Sequence, residues 1–539
     1  MPEISREPLI GDLALVGDRR TGALLNKQGD VLWYCPGRFD RPALLTALLD
    51  PEGGGRWRVE APTASFAGRR YLGDSGVLET RFKTPRGGTW TTTDWMPRGD
   101  GPPRGLCRLF SPAECERTIF LEAAPDYARR RPKPIREGKA VAIDGAHYAY
   151  ASAPLDVDGE AVRMAIPPGE SGWMLLFDEP LAQPPTDEDV SGWLEATRAA
   201  WRETASHATY RGPYEREVAD SLRALRLLTF EENGAIIAAP TTSLPEVIGG
   251  ERNYDYRYTW LRDAAMIVSA LTRVGSDGTE ERRFLEFICE AERDVEGLPL
   301  APFYTLDGTI SGDEETLDLA GYQGSRPVQI GNGARVQLQF DAYANVLLAA
   351  KLIYNRFDTR EHWAVVERLA DFLAEHWQEP DYGIWEERQP RQYTTGKVVA
   401  ACALEFIAEH SEDAVQTRRW CGAAGEIRQF VAEECVTSEG AYAAVAGGEA
   451  VDVSAALFPV WGYNAPDAPE MEATMHALER DYAEGHLYRR HLEDADEQKE
   501  GAFLAGTFWV AQYWMMRDME RARTILDAAL AQANDVGLF

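Results

Sequence analysis

The 539-residue chain changes its periodicity once, near residue 185, and that change limits its possible folds more than any other feature. Before it, short runs of alternating apolar residues are separated by Gly- and Pro-containing turns, as expected of strands that each bury one face. Ala23–Asn26 and Val31–Tyr34 flank Lys27-Gln28-Gly29-Asp30, a hairpin, and Val77–Thr84 and Thr89–Asp94 flank Pro85-Arg86-Gly87-Gly88, a second. Val162–Ile166 and Trp173–Phe177 stand either side of Pro167-Pro168-Gly169-Glu170. This spacing predicts an antiparallel β-sandwich over residues 1–185. The acidic, Pro-rich stretch Leu181–Asp189 reads as a linker, and 186–213 as a linker carrying one helix, Ser191–Ala208.

From residue 214 to 539 the apolar spacing is helical, with Val218, Leu222, Leu225 and Leu228 on one face and Ala344, Leu347, Leu348 and Leu352 on another. Further helices are predicted over Tyr258–Arg273, Thr279–Glu292, Trp363–His376, Thr395–His410, Ala414–Glu434, Pro469–Tyr482, Phe503–Met516 and Glu520–Ala533. About ten helices joined by polar or Gly-rich loops predict a helical toroid whose loops carry function. Two domains also suit the length, which exceeds what one ordinary core supports.

Charge narrows the partners. A formal net charge of −31 and a pI near 4.7 repel nucleic acid and anionic lipid, and suit a neutral ligand such as a sugar. Seven cysteines, an odd number without a CxxC, argue against a disulfide framework or zinc site. The eight histidines have no metal-binding spacing, and HExxH, P-loop and GxSxG motifs are absent from the sequence, so no cofactor or metal is expected. The sequence carries no charged leader and no membrane-length apolar run, which predicts a cytoplasmic protein.

Three segments concentrate chemistry. In Gly249–Asp263 (GGERNYDYRYTWLRD), aromatic rings suited to a pyranose C–H face stand beside carboxylates and guanidinium groups suited to its hydroxyls. For Asp255 and Arg257, pairing with each other inside a loop is as good a reading as sugar contact. Arg262 and Asp263, heading an apolar helix, read better as ligand contacts. In Gly383–Arg388 (GIWEER), a neighbouring carboxylate and a Trp ring would both raise a carboxyl pKa, as a general acid at neutral pH requires. Such triplets are common, and in isolation a solvated helix start is the better reading. In Glu497–Leu504 (EQKEGAFL), Glu500 precedes a Gly and an apolar helix whose dipole would favour the ionised form of a general base. An ordinary acidic first turn is again the preferred reading without further context.

Taken together these segments resemble glycoside hydrolase family fifteen, which holds glucoamylases, glucodextranases and a group of bacterial trehalases. The resemblance runs over nearly the whole chain: Ile10-Gly11-Asp12, Arg19–Leu24 and Arg38-Phe39-Asp40 at the start, then Gly234–Glu246 (GAIIAAPTTSLPE) with NYDYRYTWLRD, then Gly321–Pro327 (GYQGSRP) with Ile330–Ala334 (IGNGA). It implies a β super-sandwich followed by an (α/α)6 barrel, and inverting hydrolysis of an α-glucosidic bond at a non-reducing end. On this resemblance Glu386, the Glu following Trp, is the general acid in preference to Glu387, and Glu500, before Gly-Ala-Phe, is the general base. Arg262 and Asp263 bind the terminal glucose, Tyr256, Trp260 and Trp385 line its pocket, and Glu387 and Arg489 complete the substrate-binding set. Glu386 would protonate the glycosidic oxygen while Glu500 activates a water on the opposite face, which needs carboxyls roughly 6.5–9.5 Å apart. Family members are often homo-oligomers.

The sequence departs from the family at Tyr254, where a Trp is usual, and at Gly506, where bacterial relatives often carry Cys. Family members also usually continue into a final barrel helix, which is missing here. Either another element replaces it, or the barrel has an open seam near Glu500. The core does not distinguish α-1,4, α-1,6 and α,α-1,1 linkages. The absent leader favours trehalose, maltose or short dextrins over secreted starch degradation. The competing function is a non-catalytic, glucoamylase-like sugar-binding or regulatory module, against which intact Glu386, Glu500, Arg262 and Asp263 stand. Another toroid enzyme, a sugar epimerase or uronyl hydrolase, would need His pairs or extra cationic groups that these clusters do not offer.

Overall fold

The computed structural model describes residues 8–61, 64–208, 210–291, 297–490 and 500–539. They form two compact units, one comprising Met1–Tyr258, Glu314–Gly331 and Ala533–Phe539, the other Thr259–Asp313 and Asn332–Gln532. The division follows packing and differs from the one expected at residues 185 and 213. Trp201 of helix α1 (Asp187–Ser206) and Leu227 of helix α2 (Glu215–Leu227) are buried against Leu13, Leu15 and Trp33, so both helices belong with the strands.

The first unit carries two antiparallel sheets. A seven-stranded sheet runs from Ala14–Gly17 at one edge to Leu155–Asp158 at the other, and an eight-stranded sheet from Ile135–Glu137 to Ser65–Tyr71. Alternate burial along Arg117–Glu122 and Leu78–Lys83 supplies the shared core, where Leu25, Trp57, Phe110, Leu121 and Met174 meet. The first two expected hairpins form, with Ala23 opposite Tyr34 and Phe82 opposite Trp90. The segments around Pro167–Glu170 are strands but not a hairpin. Ala161–Ile166 pairs within the seven-stranded sheet and Gly172–Phe177 within the eight-stranded one, so the turn crosses between sheets. Gly172–Phe177 is buried at every position, which suits a central strand with neighbours on both sides.

The second unit is helical: α3 (Leu261–Arg273), α4 (Thr279–Glu290), α5 (Phe340–Phe357), α6 (Trp363–His376), α7 (Thr394–Ala408), α8 (Ala414–Glu434), a 3-10 turn (Val453–Leu457), α9 (Pro469–Asp481), α10 (Leu504–Met515) and α11 (Met519–Leu530). The expected bounds agree to within about three residues, and the expected end of α4 at Glu292 lies outside the described residues. Burial alternates along the chain. Helices α5 and α7 are buried on nearly every face, whereas α6 buries one stripe (Val365, Val366, Leu369, Ala370, Leu373) and α8 another (Trp420, Ala423, Ala424, Ile427, Val431). A helix apolar all round needs neighbours all round, and a one-faced helix needs them on one side only. The alternation therefore gives an inner layer in which α5 lies between α3 and α7, with α6 and α8 outside it, as in an (α/α) toroid. No helix follows α11 among the described residues, and residues 533–539 pack within the first unit. There Arg69, with no exposed side-chain surface, pairs with Asp535 at 2.6 Å, and Asn534 donates to the carbonyl of Leu13. No helix among the described residues is long and apolar enough to cross a membrane.

Candidate active site

The chemistry of the helical unit gathers where its inner elements begin. Arg262 and Asp263 lie in the first turn of α3, and Asp341 in the first turn of α5. Glu386 sits in the turn ahead of α7, Asp452 caps the 3-10 turn, and Glu500 precedes α10. The segment bearing Glu386 is closed at its base by reciprocal backbone bonds between Asp381 and Arg391, at 2.9 and 2.8 Å. Gly383 takes φ +67° against the Tyr393 ring, where an added Cβ would meet ring carbon at 2.8 Å, so only glycine fits. Glu386 itself has φ +53°, a left-handed conformation that costs a non-glycine residue on the order of 1–3 kcal/mol. This tight turn replaces the solvated helix start that the isolated triplet suggested.

Arg262 organises one cluster. Its Nη1 donates to Glu386 Oε1 at 2.5 Å and to the carbonyl of Ile384, and its Nη2 donates to Asp263 at 3.0 Å. A third carboxylate, Asp341, stands 3.9 Å from Nη1 and is wholly buried. One guanidinium thus faces three carboxyl groups. Burial pushes Glu386 up to about 7, Asp263 and Asp341 add to the rise, and Arg262 opposes it. Burial likewise pushes Asp341 up to about 7, with Asp381 adding and Arg262 opposing. Burial works against charge on Arg262, but its carboxylate neighbours outweigh that and hold it protonated. The Trp260 ring packs 4.6 Å from Phe303, and its buried indole N–H has no hydrogen-bond partner among the described residues.

A second cluster surrounds Trp385. Its indole N–H donates to Asp452 at 2.6 Å, its ring stacks on Trp509 at 5.8 Å, and the Phe503 ring meets it edge-on. The Arg490 guanidinium lies 5.7 Å from the Trp385 ring centre and donates to both oxygens of Glu500, at 2.8 and 2.6 Å. Glu500 is therefore held by a cation three residues ahead of the α10 N-cap, Phe503, rather than standing in a first helical turn. Glu497–Lys499 lie outside the described residues.

The expected site residues separate accordingly. Arg262, Asp263 and Glu386 come together, with Trp260 beside Arg262 at 5.9 Å, and Trp385 and Glu500 are linked through Arg490. The backbone N–H of Glu387 donates to the carbonyl of Tyr382 within the turn. Arg489 pairs with Glu484 across a short hairpin, and the neighbouring Arg490 faces Glu500. Tyr256 belongs to the first unit and packs edge-on against Tyr254 at 6.3 Å. There too, Asp255 and Arg257 pair with each other at 2.7 Å, deep in the interior. Sequence reasoning missed Asp341, Asp452 and Arg490. Asp341 had left one signal, an acid inside the otherwise apolar run of α5.

Comparison with known proteins agrees with this architecture. Residues 212–534 match the family model described as Glycosyl hydrolases family 15, and residues 5–154 match that described as Trehalase-like, N-terminal. The chain is 30% identical to a trehalase of Mycolicibacterium smegmatis, over 99% of this chain and 86% of that protein. It is 29% identical to a trehalase of Thermoplasma volcanium, over 99% of this chain and 89% of that one. A bacterial glucoamylase complexed with acarbose shares the fold with a TM-score of 0.69 at 12% identity, covering 99% of this chain and 89% of that one. The β-sandwich with an (α/α)6 toroid, and a family model that spans more than half of the sequence, lead to one conclusion: this chain is a glycoside hydrolase that belongs to glycosyl hydrolases family 15.

Proposed function

We propose that the chain is an inverting, exo-acting hydrolase of a small α-glucoside, with Glu386 as its general acid. The observation that carries this is the Arg262 cluster: a carboxyl poised near neutrality, in direct contact with a permanent cation that stabilises it after proton transfer. Asp263 and Arg262 supply acceptors and donors for the hydroxyls of a terminal glucose, while Trp260 and Trp385 offer apolar faces. The full-length relatives named trehalase make α,α-trehalose the first substrate of choice, ahead of maltose, isomaltose and short dextrins. Cytoplasmic action on a small sugar suits the acidic, neutral-ligand character of the chain. Glucose release from each sugar, with the first anomer read by proton NMR, tests the proposal. β-glucose is expected first; α-glucose first, or no turnover of any sugar, overturns it.

In this reading Glu500 is the general base that activates water. One observation favours a second role for it, because both of its oxygens are occupied by Arg490. In that role Glu500 holds Arg490 beside Trp385 and takes no proton. Glu500→Ala in the presence of azide separates the two. A general base gives a variant whose turnover azide restores as β-glucosyl azide; a holding residue gives a variant that azide does not rescue.

A further inference from the structure

Asp341 does not behave as a structural carboxylate. It lies in the first turn of α5, fully buried, and among the described residues neither of its side-chain oxygens accepts a hydrogen bond from another residue. Its closest cation is Arg262, at 3.9 Å, and that cation is already bonded to Glu386 and Asp263. Buried polar atoms are normally satisfied, and an unsatisfied buried carboxyl is costly. An apolar side chain would serve packing better at this buried position in the first turn of α5.

The charged groups packed around it define what it can do. From α3 come Arg262 and Asp263, from the 381–391 segment come Asp381 and Glu386, and from α7 comes Lys397, whose charge acts on Asp381. Carboxyls outnumber cations in this set, so each carboxyl that ionises makes the next harder to ionise. Asp341 and Glu386 both face the same guanidinium nitrogen, Nη1, at 3.9 and 2.5 Å.

We propose that Asp341 is a positioning residue for the general acid: as a further carboxyl on Arg262, it fixes that guanidinium beside Glu386 and keeps the proton on Glu386 until a glycosidic oxygen takes it. The proposal rests on the assignment of Glu386 as the acid. Asp341 itself need touch no substrate. Once ionised, Asp341 opposes ionisation of Glu386, and Arg262 receives the Glu386 carboxylate when its proton has left.

Asp341→Asn keeps the shape and removes the charge. A general acid must be protonated, so activity falls as pH rises through its pKa. Loss of the neighbouring charge lowers that pKa, and the alkaline limb of kcat/KM is expected to move down by about one pH unit. A merely structural Asp341 would lower activity equally at all pH values and leave the limb in place, which overturns the proposal without touching Glu386. Infrared titration of carboxyl C=O bands in wild type and Glu386→Gln provides an arm independent of turnover and of whether Asp341→Asn folds. The Asp341 band is expected to titrate at lower pH once Glu386 is neutral; an unmoved band overturns the coupling. Persistent turnover in Glu386→Gln would instead overturn the acid assignment, and the infrared arm would still decide the coupling.

Discussion

Two arginines five positions apart, Arg257 and Arg262, meet opposite fates. Arg257 donates from Nε and Nη2 to the two oxygens of Asp255, and from Nη1 to the Tyr127 hydroxyl and the carbonyl of Arg41. One cation meets one anion, the remaining donors meet neutral acceptors, and the pair is almost sealed from water. Arg262 meets three carboxyls, one of which is unsatisfied, beside a Trp whose buried N–H is idle. Burial alone does not distinguish the two sites; balance does. A balanced buried pair costs little beyond desolvation and holds its surroundings in place. An unbalanced one keeps a group near its point of ionisation, as acid–base chemistry requires.

The largest effect should come from breaking the unbalanced cluster at its acid. Glu386→Gln is expected to lower kcat about 10³-fold on the preferred sugar. The loss should be much smaller on α-glucosyl fluoride, whose leaving group needs less protonation. Equal losses on both substrates would show that Glu386 does not donate the proton. Breaking the balanced pair should act on stability instead. Arg257→Met removes the cation from buried Asp255 and is expected to cost about 3–5 kcal/mol in urea unfolding, with the folded fraction retaining its KM. Adding Asp255→Asn should restore part of that, and a KM effect larger than the stability effect would erase the contrast.

A third, intermediate effect concerns pH. Activity should fall as pH rises through about 7, where burial has placed Glu386. A profile still rising above pH 8 would contradict that. The smallest effect is on stability. Glu386 and Asp341 both ionise at higher pH in the folded chain than in the unfolded one, so the folded state binds more protons between about pH 4 and 7. Their contribution is fully present below that window and is lost as pH rises through it. Glu386→Gln and Asp341→Asn should therefore each flatten the fall in Tm from pH 5 to 8, and an unchanged slope would mean that the unfolded chain shares their elevated values.

Much of this was readable from sequence wherever a local pattern decides the outcome. The hairpins over Ala23–Tyr34 and Leu78–Trp95 and the one-faced helices α6 and α8 follow from periodicity, because each buries one side against a neighbour. What escaped depends on distant partners. The strands either side of Pro167–Glu170 look like a hairpin locally, yet join different sheets, where they pair with the earlier strands Arg117–Glu122 and Gly105–Phe110. Asp341 looks like an ordinary acid in a first helical turn, and only Arg262, 79 positions earlier, makes it unusual. Arg489 and Arg490 are indistinguishable by residue type, and a short hairpin decides which of them turns toward Glu500.

The clasp between Arg69 and Asp535 makes an early strand of the first unit depend on a residue far along the chain. The strand bearing Arg69 emerges from the ribosome 466 residues before the carboxylate that neutralises it. Besides that carboxylate, the guanidinium bonds the carbonyl of Leu25 among the partners described for it. Expression of residues 1–258 alone removes that carboxylate together with residues 314–331 of the same unit, so the isolated N-terminal half should be a poorer folder than the complete chain.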